Sequence, residues 1–222
     1  MTVRPMPVDH QVGHEQYNPL TLRLYDTLVY GLTCPLFWKV PESALLRLYE
    51  RNIAETHLDI GVGTGRLLDR CAMPVDRPRI TLFDLNPHCL AHAARRLARY
   101  EVTTHLGSVL KPFPRLVGSH GSAALNLMLH CVPGDIPEKA IAFDHTAGCV
   151  RPGGKIFGST VLSRGVPVTR RARFALGRLN AARSFHNTED DLEDLHEQLE
   201  KRFSRYRVTV YGCVALFEAT VD

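Results

Sequence analysis

The residues best placed to do chemistry lie between positions 57 and 67, His-Leu-Asp-Ile-Gly-Val-Gly-Thr-Gly-Arg-Leu. A carboxylate, Asp59, stands just ahead of glycines at every second position, Gly61, Gly63 and Gly65. Glycine has no Cβ, so such a turn bends sharply and lets a ligand lie against the backbone. Before it, Thr56, Leu58, Ile60 and Val62 alternate with His57, Asp59 and Gly61, which predicts a short buried strand. After it, Arg66, Leu67, Leu68 and Arg70 are good helix formers. Strand, glycine turn and helix together aim free N–H groups and a positive dipole end at whatever rests on the glycines. A diphosphate is one such ligand, but the dinucleotide pattern G-x-G-x-x-G wants a glycine where Arg66 stands. Asp59 would repel a diphosphate and suit a cationic amino group.

Two further signals follow in order. Asp84 closes the strand pattern Ile80-Thr-Leu-Phe-Asp84, nineteen residues after Gly65. An acid at that strand tip and spacing can accept hydrogen bonds from both hydroxyls of a ribose. It could instead cap the next helix, although Asn86 before Pro87 already fits that task. Farther on, Val-Arg-Pro-Gly-Gly at 150–154 predicts a turn into another strand.

The stretch from Asp59 to Gly65 resembles motif I of the class I S-adenosylmethionine-dependent methyltransferases. Asp84 and the Pro-Gly-Gly turn match the same family in the same order, over roughly residues 55–162. The resemblance implies S-adenosyl-L-methionine as cofactor. It implies that Asp59, Gly61, Val62, Gly63 and Gly65 hold the methionine tail and that Asp84 with Leu85 holds the nucleoside. The family often has an Asp after its third strand to bind the adenine amino group; here that place falls to Ser108 and Val109. The end of the fourth strand faces the methyl group in the family. In this chain it reads Asn126-Leu-Met-Leu-His130, unlike the N-P-P-[YF] of enzymes that methylate nucleobases or glutamine. That points to the small-molecule branch, with Asn126 beside the cofactor. His130 is the candidate general base and a substrate contact, because an imidazole titrates near neutrality. Packing or capping is an equally open role for it. His10, His14 and His186 are weaker alternatives. No His, Cys and acid cluster has metal-ligand spacing, so a metal-free reaction is expected.

The elements that must position these residues read as alternating strands and helices, predicting a doubly wound α/β sheet. The resemblance makes it seven-stranded and mostly parallel, with a C-terminal antiparallel hairpin around Gly212. Residues 1–54 are expected to form a helical N-terminal extension, which the resemblance makes a lid, and 55–222 a Rossmann-like core, all in one domain. In the lid, Leu20, Leu24, Leu28 and Leu32 make one stripe and Glu42 to Asn52 a second helix with Leu45, Leu48 and Tyr49 inward. Tyr25-Asp26 resembles the family's aromatic-acid pair, which places Tyr25 on the cofactor and Tyr17 and Tyr30 on the substrate. Core packing is the alternative for each tyrosine. Past the glycine turn, helices are expected to about Met73, from Pro87 to Tyr100 and over 136–148, with strands over 102–108, 122–133 and 150–162. Thr188, with Asp191 three residues on, predicts the start of a further helix.

Composition narrows the partners. With 222 residues, 45% hydrophobic and 23% charged, the chain suits a soluble globular protein with a sizeable core. No apolar run spans a bilayer, and the N-terminus lacks a secretory h-region. Six scattered cysteines read as reduced, buried thiols, hence the cytoplasm. A net charge of +4 makes no case for nucleic acid. The expected partner is a small-molecule acceptor, for a monomer or homodimer. Residues 151–187 carry eight basic and no acidic residues, and 189–200 seven acidic and no basic ones apart from His196. They read as two solvated helix faces that attract each other or a partner, or as a basic wall for an acidic substrate. Two other functions remain open from the residues alone: an NAD(P)-dependent oxidoreductase, and a non-catalytic cofactor-binding member of the fold.

Overall fold

The computed structural model describes residues 26–113, 116 and 119–222. Helix α1 (Thr27–Trp38) has wide, π-type turns and runs through Pro35. Proline offers no N–H to a helical ladder, so an irregular turn tolerates it better than a regular one. Helix α2 (Glu42–Asn52) follows, with Leu45, Leu48 and Tyr49 buried as its spacing predicts. Then come β1 (Thr56–Ile60), α3 (Arg66–Arg70), β2 (Arg79–Asp84), α4 (Pro87–Arg96), β3 (Glu101–Leu106) and β4 (His120–Asn126). The chain continues with α5 (Ile136–Lys139), α6 (Ile141–Ala147), β5 (Val150–Val161), α7 (Arg170–Ala181), α8 (Leu192–Glu200), β6 (Arg205–Tyr211) and β7 (Val214–Thr220).

The strands form one sheet in the order β3-β2-β1-β4-β5-β7-β6. Its first five members are parallel; β7 runs antiparallel to β5, and β6 to β7. This is the expected doubly wound sheet with a terminal hairpin. Strand order reverses between β1 and β4, which opens a crevice beyond their carboxyl ends. Every residue of β4 is buried, because helices cover both faces of the sheet. Leu58 and Ile60 of β1 join Phe143 and Phe217 in one apolar layer. The alternate residues of β1, His57 and Asp59, lie on the other face with Tyr49 and Phe157. Among the described residues no helix is long and apolar enough to cross a membrane.

Several boundaries differ from expectation for local reasons. Strand β4 stops at Asn126 rather than running on to Pro133, since Leu127 takes φ +49° and a single tight turn over Leu129–Cys131 follows. Helix α3 ends at Arg70, three residues early, and α4 at Arg96. The helix expected over 136–148 divides at Ala140 into α5 and α6. Asp191, not Thr188, caps α8, its carboxylate accepting from the Glu193 N–H at 2.8 Å. The basic and acidic stretches meet through an Arg164–Glu189 ion pair, while Arg170, Arg171, Arg173 and Arg178 of α7 stay exposed. All six cysteines are free thiols, five of them buried.

A buried ion pair ties the α5 side of the sheet to the loop before α8. Lys139 Nζ donates to both Asp190 carboxylate oxygens and to the His186 carbonyl, each at 2.8 Å. Both side chains are essentially inaccessible, at 1% and 0% exposure. Burial pulls the Lys139 ammonium down and pushes the Asp190 carboxyl up to about 6, so desolvation outweighs pairing. Removing one partner strands the other charge. Asp190→Ala is therefore expected to cost about 3–5 kcal/mol, and Lys139→Met with Asp190→Leu to recover most of that loss, as read by urea unfolding.

Candidate active site

The glycine turn joins β1 to α3 in left-handed backbone. Gly61, Gly63 and Gly65 have φ of +70°, +56° and +73°. The Gly61 N–H donates to the Phe83 carbonyl at 2.8 Å, and the Gly65 N–H to the Val62 carbonyl at 3.0 Å. The three glycines serve different ends. A Cβ on Gly61 would overlap the Met128 side chain, and one on Gly65 would lie 3.1 Å from Ala93 Cβ. A Cβ on Gly63 would meet nothing within 4 Å. Gly61 and Gly65 therefore answer to packing, and Gly63 leaves open space above the turn.

That space belongs to a cleft of about 430 Å³ at the point where strand order reverses. The turn from Gly61 to Gly65 forms its floor, with Leu67 and Leu68 of α3. Asp59, Asn126 and Leu127 wall one side, and Tyr30 and Tyr49 reach in from α1 and α2. Asp59 is 3% exposed, and its Oδ2 accepts from the Tyr49 hydroxyl at 2.8 Å. Burial, then the adjacent Asp59, push the Tyr49 hydroxyl well above its ordinary range, so it remains a donor. Asn126 is fixed by Ser159, whose hydroxyl donates to its Oδ1 at 2.7 Å. Leu127, which also lines the cleft, holds a left-handed conformation that strains a branched residue.

A charged network fastens the turn to the helices in front of it. The buried Asp26 carboxylate accepts from the Thr64 hydroxyl at 2.5 Å and from Arg96 Nη2 at 2.7 Å. Arg96 Nη1 also donates to the Thr64 carbonyl at 3.0 Å. Arg66 pairs with Glu42 at 2.6 Å and lies 5.6 Å over the Tyr30 ring. The residue that breaks the dinucleotide pattern thus joins α3 to α1 and α2.

The structure brings Asp59, Gly61, Val62, Gly63, Gly65, Asn126 and Tyr30 around one cleft. Asp84 lies beside it rather than in its wall. Its Oδ2 accepts from the Gly63 N–H at 3.4 Å and its Oδ1 from the Asn86 N–H at 2.8 Å. Asn86 caps α4 through the His88 N–H, leaving Asp84 at the strand tip. Leu85, Ser108 and Val109 sit at the neighbouring ends of β2 and β3, outside the cleft wall; Ser108 Oγ accepts from the Leu110 N–H and the Val109 carbonyl from His145. Tyr17 and Tyr25 fall outside the described residues, as do His10 and His14.

Of the two roles open to His130, general base and packing, the structure shows packing. It is absent from the cleft wall, its ring packs 4.3 Å from Phe185, and its Nδ1 accepts from the Val161 N–H at 3.2 Å. That bond leaves the imidazole proton on Nε2. Burial, with the nearby Lys139, lowers its pKa to about 3 rather than near neutrality. Sequence reasoning missed Tyr49, Thr64, Leu67, Leu68 and Leu127 as cleft residues. Thr64, inside the glycine turn, was the one with a usable signal.

Comparison with known proteins adds an independent line. A family model described as "Methyltransferase domain" matches residues 58–154. The chain is 46% identical over 214 residues to the demethylluteothin O-methyltransferase of Streptomyces thioluteus, covering 96% of this chain and 93% of that protein. It is 36% identical over 211 residues to the physcion biosynthesis cluster O-methyltransferase of Aspergillus chevalieri, covering 91% and 92%. Among solved structures, an O-methyltransferase family protein from Burkholderia thailandensis superposes with a TM-score of 0.69 at 17% identity, over 95% of this chain and 62% of that one. A possible histamine N-methyltransferase from Thermotoga maritima gives 0.68 at 14% identity, over 95% and 100%.

The His130 environment has a consequence for stability. The unfolded imidazole takes up a proton near pH 6.5, while the folded ring resists it until about 3. A group with a lowered folded pKa stabilises above its unfolded value and loses that contribution as pH falls. Unfolding free energy is expected to drop by about 2 kcal/mol from this residue between about pH 7.5 and about pH 5. Urea titrations of the wild type and His130→Gln should show a shallower slope in the variant.

Proposed function

The chain belongs to the class I S-adenosylmethionine-dependent methyltransferases that act on small molecules, and from that premise we propose that the atom it methylates is an oxygen of a natural-product acceptor. The observation that carries this reading is the 46% identity, over nearly the whole chain, to a protein named as an O-methyltransferase. A nicotinamide oxidoreductase is not favoured, since these relatives are methyltransferases.

Residues of this chain fit the cofactor. Gly63 leaves the room a ligand needs over the turn, and Asp59 puts a carboxylate at the cleft's edge. In our reading Asp59 takes the ammonium group, the backbone from Gly61 to Gly65 supports the tail, and Asp84 takes the ribose. Leu85, Ser108 and Val109 flank the adenine, and Asn126 closes the inner wall. Tyr30 and the strained Leu127 border the acceptor side, with Tyr17 and Tyr25 assigned to the preceding part of the lid. When bound, S-adenosylmethionine supplies a methyl group on a sulfonium, an already good leaving group.

The protein's task is then alignment, holding a nucleophile ~3–3.5 Å from the methyl carbon in line with the departing sulfur and excluding water. His130, neutral, packed on Phe185 and with Nδ1 engaged, is not cast as a base in this reading. Phenols and enols suit such a site, because they ionise without a strong base. We read residues 1–54 as lid and 55–222 as core of one domain, working in the cytoplasm, a reading the free cysteines support.

Incubation with methyl-labelled cofactor and demethylluteothin, beside a panel of phenols, enols and secondary amines, tests the acceptor. Label on a hydroxyl oxygen is expected; transfer to the amines alone would overturn the oxygen assignment. Asp59→Asn should weaken a charge-assisted hydrogen bond worth about 1.5–3 kcal/mol. Its KM for the cofactor is expected to rise roughly 10–100-fold with a smaller change in kcat.

A further inference from the structure

Behind Asp59, on the side away from the cleft, stands a buried polar chain that the proposed chemistry does not use. His57, two residues earlier on β1, has no exposed surface and stacks on Phe157 with ring centroids 5.7 Å apart. Its Nδ1 lies 2.8 Å from Ser122 Oγ on β4, itself fully buried. Ser122 Oγ also accepts from the Ala54 N–H at 2.8 Å. The hydroxyl has one proton, and His57 Nδ1 is the acceptor beside it. Satisfying the serine therefore makes Nδ1 the acceptor and puts the imidazole proton on Nε2.

Nε2 faces Asp59 Oδ2 at 3.5 Å, beyond hydrogen-bond length, and is one of two buried side-chain polar atoms without a partner among the described residues. Oδ2 is the same oxygen that receives the Tyr49 hydroxyl. An apolar residue would pack against Phe157 and Tyr49 but would leave the Ser122 hydroxyl proton without its acceptor; that contact accounts for Nδ1 alone, and the orphaned, buried Nε2 N–H is expensive and calls for an explanation. The Tyr49 hydroxyl thus bonds one oxygen of the carboxylate, the Nε2 N–H approaches the same oxygen from a second element without yet bonding it, and Oδ1 takes neither contact.

We propose that His57 is a positioning residue for the cofactor's amino-acid tail. Set in its tautomer by Ser122, it acts with Tyr49 to hold Asp59 by Oδ2 so that Oδ1 is presented to the ammonium group. This rests on the reading of Asp59 given above. The donors take over the role of water, which the buried site excludes, and keep the carboxylate from turning back to the protein.

Calorimetric titration with two ligands tests it. S-Adenosylhomocysteine carries the ammonium-bearing tail, and 5′-methylthioadenosine keeps the nucleoside without it. His57→Leu and Tyr49→Phe are each expected to weaken the first by roughly 10-fold and to leave the second within about twofold. Ser122→Ala, which releases the tautomer while sparing the ring, should show the same selectivity if His57→Leu does not fold. His57→Gln, which restores an N–H donor, should recover part of the loss. Equal weakening of both ligands by these variants, or of neither while Asp59→Asn loses S-adenosylhomocysteine selectively, would overturn the role of His57. If Asp59→Asn itself leaves the ratio of the two affinities unchanged, the ammonium reading of Asp59 fails instead.

Discussion

A turn that is glycine at every second position cannot hold itself in place. The strip from Gly61 to Gly65 leaves room for a ligand over Gly63, and the same lack of side chains at three of its five positions makes it depend on its neighbours for shape. The structure supplies those neighbours from four directions. Strand β2 offers the Phe83 carbonyl, and Asp84 reaches the Gly63 N–H. Met128 and Ala93 fill the sites where Cβ atoms would have been. Asp26 and Arg96 grip Thr64 by its hydroxyl and its carbonyl. Preorganisation of this kind is what a ligand held by backbone groups needs, because any freedom left in the loop must be lost on binding.

Much of this architecture could be read from the chain. The alternation before Asp59, the glycines and the spacing to Asp84 are local signals, and the β1–α3–β2 unit follows them closely. Residues legible as site residues were those whose type only a site explains, such as Asp59 between apolar neighbours. Tyr49 was not legible: at helical spacing with Leu45 and Leu48 it looks like core, and only the fold shows its hydroxyl on Asp59. His57 was hidden likewise, since alternation alone does not tell a polar residue facing solvent from one facing a buried serine on β4.

Where reading went astray or stayed open, tertiary context decided the outcome. The apolar run after β4 looks like more strand, but the left-handed Leu127 turns it aside over the cleft. For His130 the chain left a base and a packed imidazole equally open, and packing against Phe185 with a bond from the Val161 N–H makes it a neutral part of the interior. The charges of residues 151–187 and 189–200 read as two solvated faces that attract each other or a partner, or as a basic wall; the arginines of α7 do stay on the surface and Arg164 pairs with Glu189, but Asp190 is buried against Lys139.

The hairpin of β6 and β7 does more than finish the sheet. Its tip is locked against the end of α1: the Cys213 N–H donates to the Trp38 carbonyl at 3.2 Å, and Gly212 approaches so closely that a Cβ there would collide with that carbonyl. The two partners are 175 residues apart in sequence. A ribosome therefore releases the front of the pocket long before the piece that secures it. The contact between the end of α1 and the hairpin is therefore one that forms only after nearly the whole chain has been made.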